Sequence, residues 1–391
     1  MYNYAIYLFF MSKVCWLTFL RGLYMTTARK NFMHPSIMGT YHLSVRCVRR
    51  SFLQGFDDYS GKDYSHRKFW VPNKIKDLLQ AYAIEIVAYA GMDNHFHLIA
   101  RNRPDLLKDL SPIEIVARWL IIHPTKEMRK EKRNKPSNEE LEATLLKYDG
   151  DELRSRLSDL SWFMWDLNQY IAVKANREDK CKGAFFESRF SSQNLADDAA
   201  ILTCMIYCDL NPIRAQIADS IETSVHTSGN IRYQAEVAKN NLLKAKELKA
   251  NKPNKKFNKR QEKEINIQKS IAKKVDWLSP LEKFDLKLKD KSRKPILNIT
   301  TNSYLELLDF TSREYHKDKP GIIPGTIAPI LAVMGLSQKQ WFERLKNYGK
   351  WYYRVLGPLI DLKDKLIAAK QRWFKGTNNW ENPPHELPST T

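Results

Sequence analysis

Cysteine is scarce in this sequence and follows no pairing rule. Cys15, Cys47, Cys181, Cys204 and Cys208 are odd in number and irregularly spaced, without a Cys-x-x-Cys pair. That argues against a disulfide framework and against a zinc ribbon, and a reducing cytoplasm is the simplest setting. Cys204 and Cys208 can face one way on a helix, but two soft ligands alone do not make a zinc site, so two buried thiols are expected. No Gly-rich phosphate loop and no internal repeat are found, so neither a P-loop nucleotide site nor a repeat array is indicated. Long apolar runs are missing as well. The opening "MYNYAIYLFFMSKVCWLTFLRGLY" is apolar and aromatic, yet Lys13 and Arg21 cut it into pieces too short to span a bilayer. It also lacks the charged start and small-residue cleavage site of a signal peptide. Met25 opens a more ordinary sequence, so residues 1–34 are expected to be a disordered extension or to lie upstream of the natural start.

What is present is basic and globular. The 391 residues are 43% hydrophobic, enough for a full core and two or more domains. Lys and Arg number 64 against 44 Asp and Glu, a net charge of +20. Such an excess favours a polyanionic partner, nucleic acid or an anionic membrane.

Residues 40–48, "TYHLSVRCV", alternate with period two. Tyr41, Leu43, Val45 and Cys47 share one face and His42, Ser44 and Arg46 the other, which predicts a half-buried strand. In "VPNKIKDLLQAYA", Ile75, Leu78, Leu79 and Tyr82 recur at helical spacing behind Pro72. "IEIVAYA" and "HFHLIAR", joined by the turn residues Gly91 to Asn94, predict a β-hairpin. A capping box at Ser137 and Glu140 precedes a long helix from Asp151 to about Asn176. A short extended piece, "AFFESRFSSQ", then leads to an apolar helix, "ADDAAILTCMIYCDLNP", with acids in its first turn.

This order predicts an α+β fold: a ferredoxin-like antiparallel sheet with helices on one face and the other face free for a ligand. Residues 35–230 form that domain. A Lys-rich linker, mobile or partly helical, is expected over 231–295, either a solubilising tether or a DNA-contacting arm. A small helical C-terminal domain follows over 296–378, with Trp341, Leu345, Tyr348 and Tyr352 on one stripe behind a capping box of Ser337 and Gln340, and a tail covers 379–391.

Chemistry concentrates in two places. On the strand of "GMDNHFHLIAR", His95 and His97 point together, away from the face of Phe96 and Leu98. They are either one metal ion's ligands or a polar pair without function. In "MIYCDLNPIRA", Tyr207 and Asn211 lie four apart, which puts a phenol and an amide on one helical face. The alternative is a packed Tyr and an Asn that ends the helix before Pro212.

Four blocks in order, "YHLSVRCVRRSF", "AYAGMDNHFHLI", "GAFFESRFSSQ" and "YCDLNPIRA", resemble the REP-associated tyrosine transposases, a branch of the single-tyrosine HUH transposases. "HFH" fits the His-hydrophobic-His motif for which that superfamily is named. The likeness spans roughly residues 35–230, and the longer chain looks like a large-bodied subgroup with a C-terminal extension. The resemblance implies a metal-dependent enzyme that nicks and rejoins single-stranded DNA carrying palindromic or hairpin repeats. Tyr207 would attack a phosphate and form a 5′-phosphotyrosine link, while His95, His97 and Asn211 would hold Mg2+ or Mn2+. Arg46, Arg49, Arg50 and Arg189 are candidates for phosphate contacts and Tyr41 for base stacking. A cytoplasmic, nucleoid-associated protein without a membrane partner is implied, either monomer or homodimer. Two departures stand out: Asp93 replaces the Pro or Ser of many relatives, and Gln216 the common Gly. A domesticated, non-catalytic binder of structured single-stranded DNA or RNA is the alternative.

Overall fold

β1 (Gly39–Arg46) alternates as its sequence dictates and lies at the centre of the sheet. In the computed structural model the residues described are 29, 33–251, 257–282, 293–313, 330–332 and 335–348, with the backbone of 355–356. Residues 1–28, the segment 314–329, Tyr352 and the tail lie outside them, as does most of the expected N-terminal extension. After β1 come a small ribbon, β2 (Phe56–Asp57) and β3 (Lys62–Asp63), then α1 (Trp70–Leu78) and the hairpin β4 (Ile84–Gly91) and β5 (His95–Asn102). A helical stretch follows: α2 (Pro112–Ile122), α3 (Lys126–Glu131), α4 (Asn138–Lys147), α5 (Gly150–Leu157) and α6 (Leu160–Glu178). β6 (Ser191–Leu195), α7 (Asp198–Asp209) and the single turn α8 (Asn211–Arg214) carry the chain onward. Beyond them are α9 (Ser228–Asn251), α10 (Lys259–Lys273), α11 (Thr301–Arg313), α12 (Gln338–Lys346) and β7 (Val355–Leu356).

The strands run β4-β5-β1-β6-β7, antiparallel through β6, with β7 added in parallel. β1 and β5 pair in unbroken register, with His42 opposite Ile99, Ser44 opposite His97 and Arg46 opposite His95. β4 carries a bulge between Ile86 and Ala88. The Val87 carbonyl accepts from Arg232 Nη2 at 3.1 Å, so the interrupted ladder leaves that group satisfied.

Tyr41, Leu43, Val45, Phe96 and Leu98 face a core built with Ile75 and Leu78 of α1, Phe163 and Leu167 of α6, and residues of α2 and α5. Full burial of each Leu, Ile or Phe contributes about 1.5–3 kcal/mol. The opposite face is not left free, as the sequence led us to expect. Val87, Ala88, Ala90 and Ile99 pack there against α7, whose residues from Ala199 to Ile206 are all buried, and against Leu308 of α11 and Trp341 of α12. A helix apolar all round has to be covered on every side, which explains why the C-terminal helices close over it. β4 is buried along its length for the same reason.

Both predicted capping boxes form, Ser137 with Glu140 and Ser337 with Gln340. The single helix expected from Asp151 breaks in two, because the Asp159 carboxylate accepts from the Ser161 amide and starts α6 anew. Residue 231, where the expected linker begins, falls inside α9, and the Lys-rich stretch is helical in α9 and α10, which pack together. Gln216 takes φ 57°, the left-handed region that glycine enters without a Cβ penalty, so a side chain there carries local strain. Asp93 is paired with Lys68 at the hairpin turn. No described helix is long and apolar enough to cross a membrane.

Candidate active site

The period of β5 sets His95 and His97 on the face opposite Phe96, and their rings meet edge to face with centroids 4.8 Å apart. His95 Nδ1 lies 2.6 Å from Asn94 Oδ1. An amide oxygen only accepts, so Nδ1 carries the proton and Nε2 keeps its lone pair. Asn94 is itself oriented, since its Nδ2 donates to the Arg50 carbonyl at 3.2 Å. Outer contacts of this kind fix the tautomer of a metal-binding histidine. His97 Nδ1 lies 2.9 Å from His42 Nε2 of β1, with the two rings stacked at 5.1 Å.

Burial holds both histidines neutral. His95 is pushed down to about 4 by desolvation and by the nearby Arg46 charge, and His97 is held well below its ordinary value by burial and by His42 and His95. The neutral ring is the ligand form.

α7 brings the third element. The Tyr207 ring stands edge-on to His97 with centroids 5.9 Å apart, and to His42 at 6.4 Å. The Arg214 guanidinium of α8 sits 4.9 Å from the Tyr207 centroid. Burial raises the phenol above its ordinary value, and Arg214 pulls the other way. Asn211 begins α8, and its buried Nδ2 has no hydrogen-bond partner among the described residues. The position of α7 is secured by Asp209, which accepts from Ser228 Oγ at 2.7 Å and from the Tyr304 hydroxyl of α11.

Arg46 shares the histidine face and pairs opposite His95. Arg49 and Arg50 lie just beyond β1 and are exposed, as is Arg189. Tyr41 is misplaced by the sequence-based expectation: it is 3% exposed on the opposite face of β1, inside the first core, and has no surface on which a base can stack.

Sequence reasoning did not place four residues at this site. His42 was visible in the alternation of β1 as a residue on the histidine side, but no spacing rule joined it to His97. Cys204 and Cys208 gain His42 as a neighbour, and the ligand atoms of all three lie within 4.8 Å of one another. Cys204 is held down at about 5: burial opposes ionisation, but the Cys208 thiol and the His42 ring outweigh it. Tyr348, just past α12, stacks on Tyr207 with centroids 4.3 Å apart and planes 24° apart, and its hydroxyl donates to Gln193 Oε1 at 2.6 Å.

No protein-family model matches the chain, and no curated protein matches it. Among solved structures the chain is similar to a REP-associated tyrosine transposase bound to a REP hairpin, at 12% identity and a TM-score of 0.29, over 51% of this chain and 79% of that one. A likeness of that size is too weak to carry an argument about fold or chemistry.

Proposed function

We propose that this chain is a DNA transposase of the single-tyrosine type, which cuts and rejoins single-stranded, hairpin-containing DNA through a covalent link to Tyr207. The observation that carries the reading is convergence: His95 and His97 of β5 meet Tyr207 of α7 on one face of the sheet, with Tyr207 edge-on to His97 at 5.9 Å. Strand order β4-β5-β1-β6, with a helix before the hairpin and helices after it, supports a ferredoxin-like core for residues 35–230. The net charge of +20 suits a nucleic-acid partner. A cytoplasmic, nucleoid-associated setting follows from that partner.

His95, His97 and Asn211 are the residues we assign to a divalent cation, Mg2+ or Mn2+. They fit it: two neutral rings, each engaged at Nδ1, and an amide whose oxygen is the hard donor such an ion prefers. When bound, such an ion polarises a phosphate and aligns it. Tyr207 supplies the nucleophile. Its oxygen forms a new bond to phosphorus as the 3′ oxygen departs, the phenol proton is released, and a 3′-hydroxyl results. Attack by another 3′-hydroxyl reverses the step, so bond energy is stored without ATP. Arg214 over the phenol ring favours its anionic form. Arg46 beside His95, with the exposed Arg49, Arg50 and Arg189, holds backbone phosphates in line.

The stacking of Tyr348 on Tyr207 favours a second reading, a binder whose tyrosine is permanently covered. One experiment separates the two. Purified protein is incubated with labelled single-stranded hairpin oligonucleotides and Mn2+ or Mg2+, then run on a denaturing gel beside Tyr207→Phe and His95→Ala. A protease-sensitive adduct made by the unaltered protein and by neither variant supports the enzyme. Equal binding by all three proteins with no adduct supports the binder.

A further inference from the structure

The described residues hold a second set of metal-binding atoms, chemically unlike the first. Cys204 and Cys208 occupy successive turns of α7, both fully buried and both free thiols. His42 reaches them from β1, and the three ligand atoms lie within 4.8 Å of one another. In a tetrahedral zinc site the donors stand about 3.5–3.8 Å apart, given Zn–S near 2.3 Å and Zn–N near 2.0 Å. Closing the set requires movements of about 1 Å, within the reach of rotamer adjustment.

We propose that His42, Cys204 and Cys208 form a site for a thiophilic divalent cation, zinc by preference, that ties α7 to β1. Two thiolates and one neutral imidazole around a doubly charged ion sum to zero net charge, the combination that a buried position tolerates best. The donor softness selects against Mg2+ and Mn2+, whose chemistry suits the oxygen-containing set at His95, His97 and Asn211. His42 Nε2 is engaged by His97, which leaves Nδ1 for the ion. The fourth position goes to water or another small ligand.

Such an ion fixes the register of α7 on β1, and with it Tyr207, the neighbour of Cys208 in the chain. It also settles the proton between the two rings. With Nδ1 on the metal, His42 donates Nε2–H to His97 Nδ1, so His97 keeps its own proton on Nε2. A hard cation at His95 and His97, which rests on the reading above, then has to displace that proton, and the two ions compete.

Cobalt provides the test, because its thiolate complexes absorb in the near ultraviolet. The full chain, reduced and stripped with a chelator, is titrated with Co2+ alone and then with Zn2+. We expect one equivalent to give a thiolate-to-cobalt charge-transfer band and tetrahedral visible bands, both abolished by one equivalent of zinc. Cys204→Ser and Cys208→Ser should each lower the band by about half or more, while His95→Ala leaves it intact. The unaltered protein's spectrum decides the matter even if a variant fails to fold, which circular dichroism reports. Absence of the band, its survival in both serine variants, or its loss in His95→Ala overturns the proposal. The cobalt spectrum is read without DNA, so its outcome and that of the adduct assay at Tyr207 are decided separately.

Discussion

The two faces of one sheet are built from the same strands and do opposite things. On one side Leu43, Val45, Phe96 and Leu98 meet apolar helices, and every contact can be replaced by another of similar volume. On the other side, one residue along in each strand, Ser44, Arg46 and His95 share the face of His42 and His97, which meet α7 with its tyrosine and two thiols. The first face gives the fold apolar packing alone, and the second adds a polar cluster to the apolar packing of Val87, Ala88, Ala90 and Ile99. The second spends burial on polar groups, and such groups are retained only where each has a partner or a task.

Truncations sharpen this contrast most. Phe96→Ala should cost about 3–5 kcal/mol of stability through lost transfer energy and the cavity left behind. His97→Ala, its neighbour on the other face, should cost only about 1–2 kcal/mol, chiefly from the partner it leaves unpaired, yet abolish the DNA adduct. Chemical denaturation paired with the gel assay measures both, and equal stability losses would break the comparison.

Acid should act on the polar face. His95 is depressed from 6.5 to about 4, so between those values the unfolded chain binds the proton and the folded one does not. Stability is therefore present above pH 6.5 and falls as pH drops towards 4, by at most about 3 kcal/mol for this residue. His95→Gln should flatten that part of a stability-against-pH curve, and an unchanged slope would contradict the assignment.

Smaller effects come from the cover and from the backbone. Tyr348→Ala uncovers Tyr207 and should raise adduct yield severalfold, roughly 1 kcal/mol of occlusion removed. Gln216→Gly should stabilise the chain by about 0.5–1 kcal/mol in thermal or chemical melts, because φ 57° strains a side-chain-bearing residue.

Local rules made much of this legible in the sequence. The alternation of β1 and β5 gave the sides of His42 and His97, and the Ser137 and Ser337 boxes marked two helix starts, since each depends on residues within a few positions. The break at Asp159 escaped because a single carboxylate cap outweighed a continuous helical pattern. Tyr41, a candidate for base stacking, follows instead its own alternation with Leu43 into the core. The remaining omissions are long-range. Nothing near Cys204 in the chain announces His42, and nothing near Tyr207 announces Tyr348, 141 positions further on. Such meetings are set by how the C-terminal helices cover an all-apolar α7, a consequence of packing and not of spacing.

The most direct test of the central claim is the identity of the residue that carries DNA. The adduct formed on a hairpin oligonucleotide would be digested with nuclease and protease and sequenced by tandem mass spectrometry. A 5′-phosphonucleotide on Tyr207 is the predicted result. The same mass on Tyr348, which lies against it, or on any other residue would contradict the account.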